Sequence, residues 1–224
     1  MIKKVLITGV AGFVGSNVAS SLVEKGYEVF GVDNLSNGFE RNIKMLRDNK
    51  NFTFLKADVR DKKVLLDNFK KLDYILHLAA YKIPRYSDSL DTLTINTHGT
   101  ENILELARKN KAKVVFSSTS DIYGKNPSLP FKEDSDIVLG QTNVRRWAYA
   151  VSKIFDEHLC FAYYEKYNLS VSIVRYFGGY GPHQHLTWWG GPQSVFIDCA
   201  LKNNAIPISY TLTQLWRSLF GCRY

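Results

Sequence analysis

The chain has 224 residues, 45% of them apolar and 22% charged, which is ordinary globular composition with enough length for one sizeable core and a small lobe. A formal net charge of +8, from 29 basic and 21 acidic residues, suits a basic solvated surface or attraction of anionic ligands such as nucleotides. The sequence has no Lys/Arg tract, no apolar run of bilayer length and no CxxC pair, which argues against nucleic-acid binding, membrane spanning and a zinc or disulfide framework.

Read in order, short apolar runs alternate with helical patterns. "KVLIT" is a β-branched run ended by glycines. Residues 12–25 repeat apolar positions at helical spacing, and Gly26 is placed to end that helix. "YEVFGVD", "FTFLKAD" and "DYILHLAA" predict the next three strands. A long helix is predicted over 90–110, a fifth strand in "AKVVFSS", a helix over 144–167 and a sixth strand in "LSVSIVRY". Alternation of this kind predicts an α/β fold, a doubly wound parallel sheet covered on both faces. Ligands then bind beyond the carboxyl ends of the strands. The start "MIKKVLITGV" is too short in apolar length for a signal peptide. Cys160, Cys199 and Cys222 are isolated, which fits free thiols in a reducing compartment. A soluble, cytoplasmic protein is expected.

"TGVAGFVG" carries the first chemistry. Gly9 permits a tight turn out of the strand, Gly12 lets backbone approach a pyrophosphate, and Gly15 lets the helix pack on the strand. Phe13 and Val14 open that helix, whose N–H groups and dipole favour phosphate. Asp33 ends the next strand, where it suits an adenosine ribose and repels a 2′-phosphate, favouring NAD over NADP. The alternative for Asp33 is a turn residue in "DNLSNG".

"YAVSK" places Tyr149 and Lys153 four apart, on one face of a helix. An ammonium beside a phenol favours phenolate, and a phenol so tuned takes a proton from a sugar hydroxyl as hydride leaves the same carbon. By itself this spacing is common on surface helices. Its position one strand and helix after "SSTSDIYG" is what gives it weight.

The ordered set "TGVAGFVGS", "DNLSNG", "ADVRD", "HLAA", "NTHGT", "SSTSDIYG", "YAVSK" and "RYFGGYGP" resembles the extended short-chain dehydrogenase/reductase family of NAD-dependent nucleotide-sugar epimerases and dehydratases. The resemblance implies a Rossmann domain over residues 1–176, a partial substrate lobe over 177–224, bound NAD and a homodimer. It implies Thr119, Tyr149 and Lys153 as the catalytic set. It places Asn34, Asp58, Val59, Leu78, Ala79, Ala80, Lys82, Asn96 and Tyr176 with the cofactor. Lys82, Ser118, Thr119, Asp121, Tyr149, Phe177 and Gly178 fall on the substrate side. Ala79 and Ala80 are open to a second reading, as close-packed core, and His77 reads as a packed strand residue.

The implied reaction oxidises C4 of a nucleotide-sugar, with a UDP-hexose as the leading substrate. Tyr149 takes the hydroxyl proton, hydride goes to NAD, and in an epimerase it returns to the other face of the 4-keto sugar. Two departures stand out. Gly178 occupies a position where the family often has Asn, within the loop "GGYGPHQHLTWWGGPQ". The family also continues for roughly a hundred residues more, whereas this chain ends in "SYTLTQLWRSLFGCRY", with only Gln214 and Arg217 hinting at the family pattern. His183, His185, Trp188 and Trp189 suit either a sugar pocket or a packed lid, and a metal site there is disfavoured. The nearest rival enzyme is a decarboxylase or dehydratase sharing the first hydride step. Asp121, two residues after Thr119, and Trp147, two before Tyr149, resemble that branch. A non-catalytic NAD-binding sensor is a third reading.

Overall fold

The computed structural model describes residues 2–82 and 88–206, so the predicted features at Gln214, Arg217 and Cys222 lie outside the described residues. Six parallel strands make one sheet: β1 (Lys4–Thr8), β2 (Glu28–Asp33), β3 (Phe52–Lys56), β4 (Tyr74–His77), β5 (Lys113–Thr119) and β6 (Val171–Tyr176). Their order is β3-β2-β1-β4-β5-β6. Winding switches direction between β1 and β4, and the crevice at that switch is where such sheets take ligands.

The helices are α1 (Phe13–Glu24), α2 (Lys62–Asn68), α3 (Ser89–Asn110), α4 (Trp147–Tyr167) and α5 (Pro192–Leu201). Alternation along the strands sorts side chains to two cores. Val5 and Ile7 pack with Ala19 and Val23 of α1 and with Ile43 and Leu46 of the 3-10 helix Glu40–Leu46. Leu6, Ile75, Val114 and Phe116 pack with Ile103, Leu104 and Ala107 of α3 and Cys160 of α4. Each fully buried Leu or Ile contributes about 1.5–3 kcal/mol, so burial on both faces sets the register.

Local chemistry marks the ends. Asp61 and Asp88 cap α2 and α3 by accepting from the N–H groups of Val64 (3.0 Å) and Leu90 (2.7 Å). Lys111 and Asn168 take left-handed backbone to close α3 and α4.

Three expectations need correction. Residues 141–146 form turns, and α4 starts only at Trp147, which is buried. β4 stops at His77 because the Thr8 hydroxyl oxygen accepts from the N–H groups of Leu78 and Ala79, both at 3.2 Å, and so draws them out of the ladder. The described residues also do not cover the whole sheet. Along β6, Ser172, Val174 and Tyr176 face outward and are exposed, while Val171, Ile173 and Arg175 face α4 and are half-buried. Among the described residues nothing lies over that half-face.

Candidate active site

The glycine loop fits a pyrophosphate by shape. Gly9 has φ +69°, and a Cβ there would sit 2.8 Å from the Ala79 nitrogen. A Cβ on Gly15 would drive into the backbone of Gly9 and Val10. Both positions therefore require glycine. Gly12 is the N-cap of α1 and no side chain caps that helix, so the N–H groups of its first turn, at Phe13 and Val14, are left for an anion.

Behind the loop lies a buried chain of hydroxyls and imidazole. Thr8 Oγ1 already accepts two N–H groups, so its proton goes to His77 Nδ1, 2.7 Å away. His77 then donates from Nε2 to Thr100 Oγ1 at 3.2 Å. His77 is 1% exposed, and burial with the nearby Lys153 charge drops its pKa to about 3. It is a neutral spacer, as its place in the strand implied. The unfolded chain binds a proton at about 6.5 that the folded chain refuses until about 3, so stability falls as pH drops through this window. The slope is at most about 1.4 kcal/mol per pH unit. His77→Gln should flatten the pH dependence of urea midpoints between pH 6 and 4. An unchanged slope would remove His77 from the acid response.

At the end of β2, Asp33 is 9% exposed. Its Oδ2 accepts from Ala11 N at 3.0 Å and its Oδ1 from Leu35 N at 2.8 Å. Burial raises its pKa, and these two N–H groups oppose the rise. Each oxygen keeps an acceptor site for a ribose hydroxyl. Asn34 donates to Asp58 at 2.9 Å, and Arg60 grips the same carboxylate. The Arg60 guanidinium holds Asp58 at a pKa of about 2. Val59 is buried core against Gly99. Leu78 and Ala79 are half-buried and Ala80 is exposed, along the far wall of the crevice. Asn96 is 1% exposed, and its amide joins the backbone of Tyr81 to the Ser152 hydroxyl, bracing the crevice wall.

Across the switch point, Thr119 ends β5 in register with Tyr176 of β6. α4 lays Tyr149 and Lys153 against this strand. Lys153 is 1% exposed and donates to the Ser117 carbonyl at 2.9 Å, with Phe116 beside its Nζ. Burial pushes its pKa down. Tyr149 is shifted well up by burial first and then by the Asp121 charge, while the nearby Thr119 hydroxyl pulls it down. Lys82 is exposed by area yet crowded by protein, which lowers its pKa against the pull of Asp121. Asp121 thus acts on both groups. Ser118 is buried, with no hydrogen-bond partner for its hydroxyl.

The segment after β6 lies back over the glycine loop. His183 Nδ1 is 2.9 Å from Ser16 Oγ, and the Pro182 carbonyl accepts from Asn17 at 2.9 Å. Phe39 packs on His185 and Tyr81 on Trp189, with ring centroids 5.1 and 5.4 Å apart. Phe177 and Tyr176 are exposed, and Phe177 stacks on Tyr123. Gly178 approaches Gln193. Among the described residues no His, Cys, Asp and Glu group is placed to hold a metal.

A family model described as the NAD dependent epimerase/dehydratase family matches residues 5–216. The chain belongs to this family. It is 38% identical over 206 residues to UDP-N-acetyl-alpha-D-glucosaminuronate decarboxylase of Bacillus cytotoxicus, covering 91% of this chain and 63% of that protein. It is 36% identical to a putative UDP-glucose 4-epimerase of Methanocaldococcus jannaschii, covering 90% of this chain and 64% of that one. The UDP-glucose 4-epimerase of Thermus thermophilus, solved as a complex with NAD, superposes with a TM-score of 0.78 at 30% identity, over 91% of this chain and 64% of that chain. The chain thus spans under two thirds of the length of these family members. No helix among the described residues is long and apolar enough to cross a membrane.

Sequence reading missed several groups that shape the site in this epimerase/dehydratase chain. Asp156 sits in an unremarkable stretch, "KIFDE", and Arg175 opens the family motif "RYFGGYGP" without having been given a role of its own. Their signal was a charge inside an otherwise apolar helix face or strand.

Proposed function

We propose that this chain acts on a UDP-hexose as an NAD-dependent 4-epimerase. The observation that carries this is the convergence of Thr119, Tyr149 and Lys153 at the carboxyl edge of β5, across the switch point from the glycine loop. NAD, when bound, supplies a two-electron hydride acceptor. Gly9, Gly12 and the α1 N-terminus would hold its pyrophosphate, Asp33 its adenosine ribose and Lys153 its nicotinamide ribose. Thr119 orients the C4 oxygen of the sugar. Tyr149 takes the C4 hydroxyl proton and later returns it. Lys153 favours the phenolate that makes Tyr149 a base.

Purified chain would be incubated with UDP-glucose, UDP-glucuronate and their N-acetyl relatives, with products identified by NMR. Epimer formation supports the reading, and no turnover of any of them overturns it. A decarboxylase is the second reading. It is favoured by Asp121, whose charge reaches both Tyr149 and Lys82. Asp121→Asn separates the two. An epimerase keeps its product, with its rate rising at lower pH because the charge that raises Tyr149 is gone. A decarboxylase loses product.

Asp33 also predicts cofactor choice. NADP should bind at least about tenfold more weakly than NAD, a difference of about 1.4 kcal/mol, because a 2′-phosphate meets a buried carboxylate. Asp33→Ser should narrow that ratio in a fluorescence titration. We further propose a homodimer through α3 and α4. Val151, Phe155, Phe161 and Tyr164 of α4 are exposed, and Phe155 and Leu159 line a shallow cavity with Thr97, His98 and Glu101 of α3.

A further inference from the structure

Lys153 is a buried cation with neutral contacts. Its hydrogen bond goes to the Ser117 carbonyl, and the Phe116 ring lies 4.7 Å from Nζ. An ammonium has two more donors, and burying its charge without a counter-charge is costly. One turn further along α4 stands Asp156, 0% exposed. Neither of its carboxylate oxygens has a hydrogen-bond partner. It is the one carboxylate among the described residues left in that state. Glu157 takes two bonds from Arg175, and Asp33 takes two backbone N–H groups.

The groups around this pair leave little choice of partner. Cys160, next on the same helix face, is held neutral by burial, with its thiol pushed up to about 12. His77 on β4 stays neutral down to about 3. Glu157 is compensated by Arg175 of β6. Thr100 of α3 accepts from His77 Nε2 and keeps its own hydroxyl proton, which favours the charged form of Asp156 from nearby without closing a hydrogen bond to either carboxylate oxygen, and it carries no charge to balance Lys153. Tyr149, one turn before Lys153, is raised by the Asp156 charge. That leaves Lys153 and Asp156 to compensate each other through space.

We propose that Asp156 is the inner counter-charge of Lys153, a positioning residue that keeps the buried Nζ an ammonium while it acts on Tyr149 and the cofactor ribose. The proposal rests on the reading of Lys153 given above. Burial lifts the Asp156 pKa to about 7, and Lys153 works against that rise. Near neutral pH the carboxyl therefore ionises, and above that it supports the Lys153 charge. Conversely, Asp156 is the largest influence that raises Lys153 against its own burial.

The test is a pH titration of the 224-residue chain labelled with 13C at the aspartate carboxyls. One carboxyl is expected to titrate near pH 7 and to vanish in Asp156→Asn, with Asp156→Ser as a second assignment variant should the first not fold. In Lys153→Met its midpoint should move up by at least about half a unit, the direction that loss of a nearby cation requires. A second readout is NAD affinity against pH. Asp156→Asn should bring the alkaline loss of affinity to lower pH by about one unit, a tenfold change in proton affinity of Lys153. Every aspartate titrating in the ordinary range, an unmoved midpoint in Lys153→Met, or an unmoved alkaline limb would each overturn the proposal. None of these readouts needs turnover, so their failure is distinct from failure of the epimerase reading.

Discussion

Replacing Tyr149 with Phe is expected to lower turnover of the nucleotide-sugar by about 10²–10⁴-fold, the range for loss of a positioned acid–base group. The phenyl ring keeps the packing of α4 on β5, and only the hydroxyl near Thr119 is lost. NAD affinity should stay within about twofold, because Lys153 and the glycine loop are untouched. Product NMR checks the first expectation and fluorescence titration the second. Turnover at the wild-type rate would sink the proposed mechanism, whichever product forms. The pH profile carries the same information. Burial and the Asp121 and Asp156 charges all raise the Tyr149 phenol, so the rate should climb with pH through the neutral range.

Arg175→Met is expected to destabilise the fold by about 3–5 kcal/mol, the usual result of removing one partner of a buried ion pair. Arg175 donates to both Glu157 oxygens, at 3.0 and 2.8 Å, and the Glu157 side chain is 6% exposed. The same guanidinium holds the Tyr123 hydroxyl and the Glu133 carbonyl at 2.9 and 2.7 Å. Loss of Arg175 therefore leaves a buried carboxylate uncompensated and loosens the segment that follows Thr119. Thermal midpoints should drop by roughly 10 °C. The double variant Arg175→Met, Glu157→Leu should recover most of the loss, since removing both charges is far less costly than removing one. A double variant as unstable as the single would show that the Tyr123 and Glu133 contacts matter more than the charge pair.

How much of this was legible depended on range. The helix 13–24 follows from apolar spacing between glycines, and its predicted start missed by one residue because Gly12 caps and does not join it. The end of β4 was misread because its control is remote. Thr8, seventy residues away, takes the N–H groups that "DYILHLAA" would otherwise give to a ladder. Asn96 is singled out by its motif, but its three bonds to Tyr81 and Ser152, which brace the crevice wall, join residues far apart in the chain.

The sequence by itself carried the glycine spacing of a phosphate cradle, the strand–helix rhythm and the Tyr149 and Lys153 pair, with Thr119 joined to them only by the family resemblance. The first three are local, written in glycine spacing, in periodicity or in an i, i+4 pair. Tertiary structure alone decided what surrounds them. It placed the loop of His183 and Trp189 over the cradle, paired Arg175 with Glu157, left the outer half-face of β6 exposed among the described residues and buried Asp156. Charge, burial and hydrogen bonding depend on which distant groups meet, and a linear pattern does not carry that.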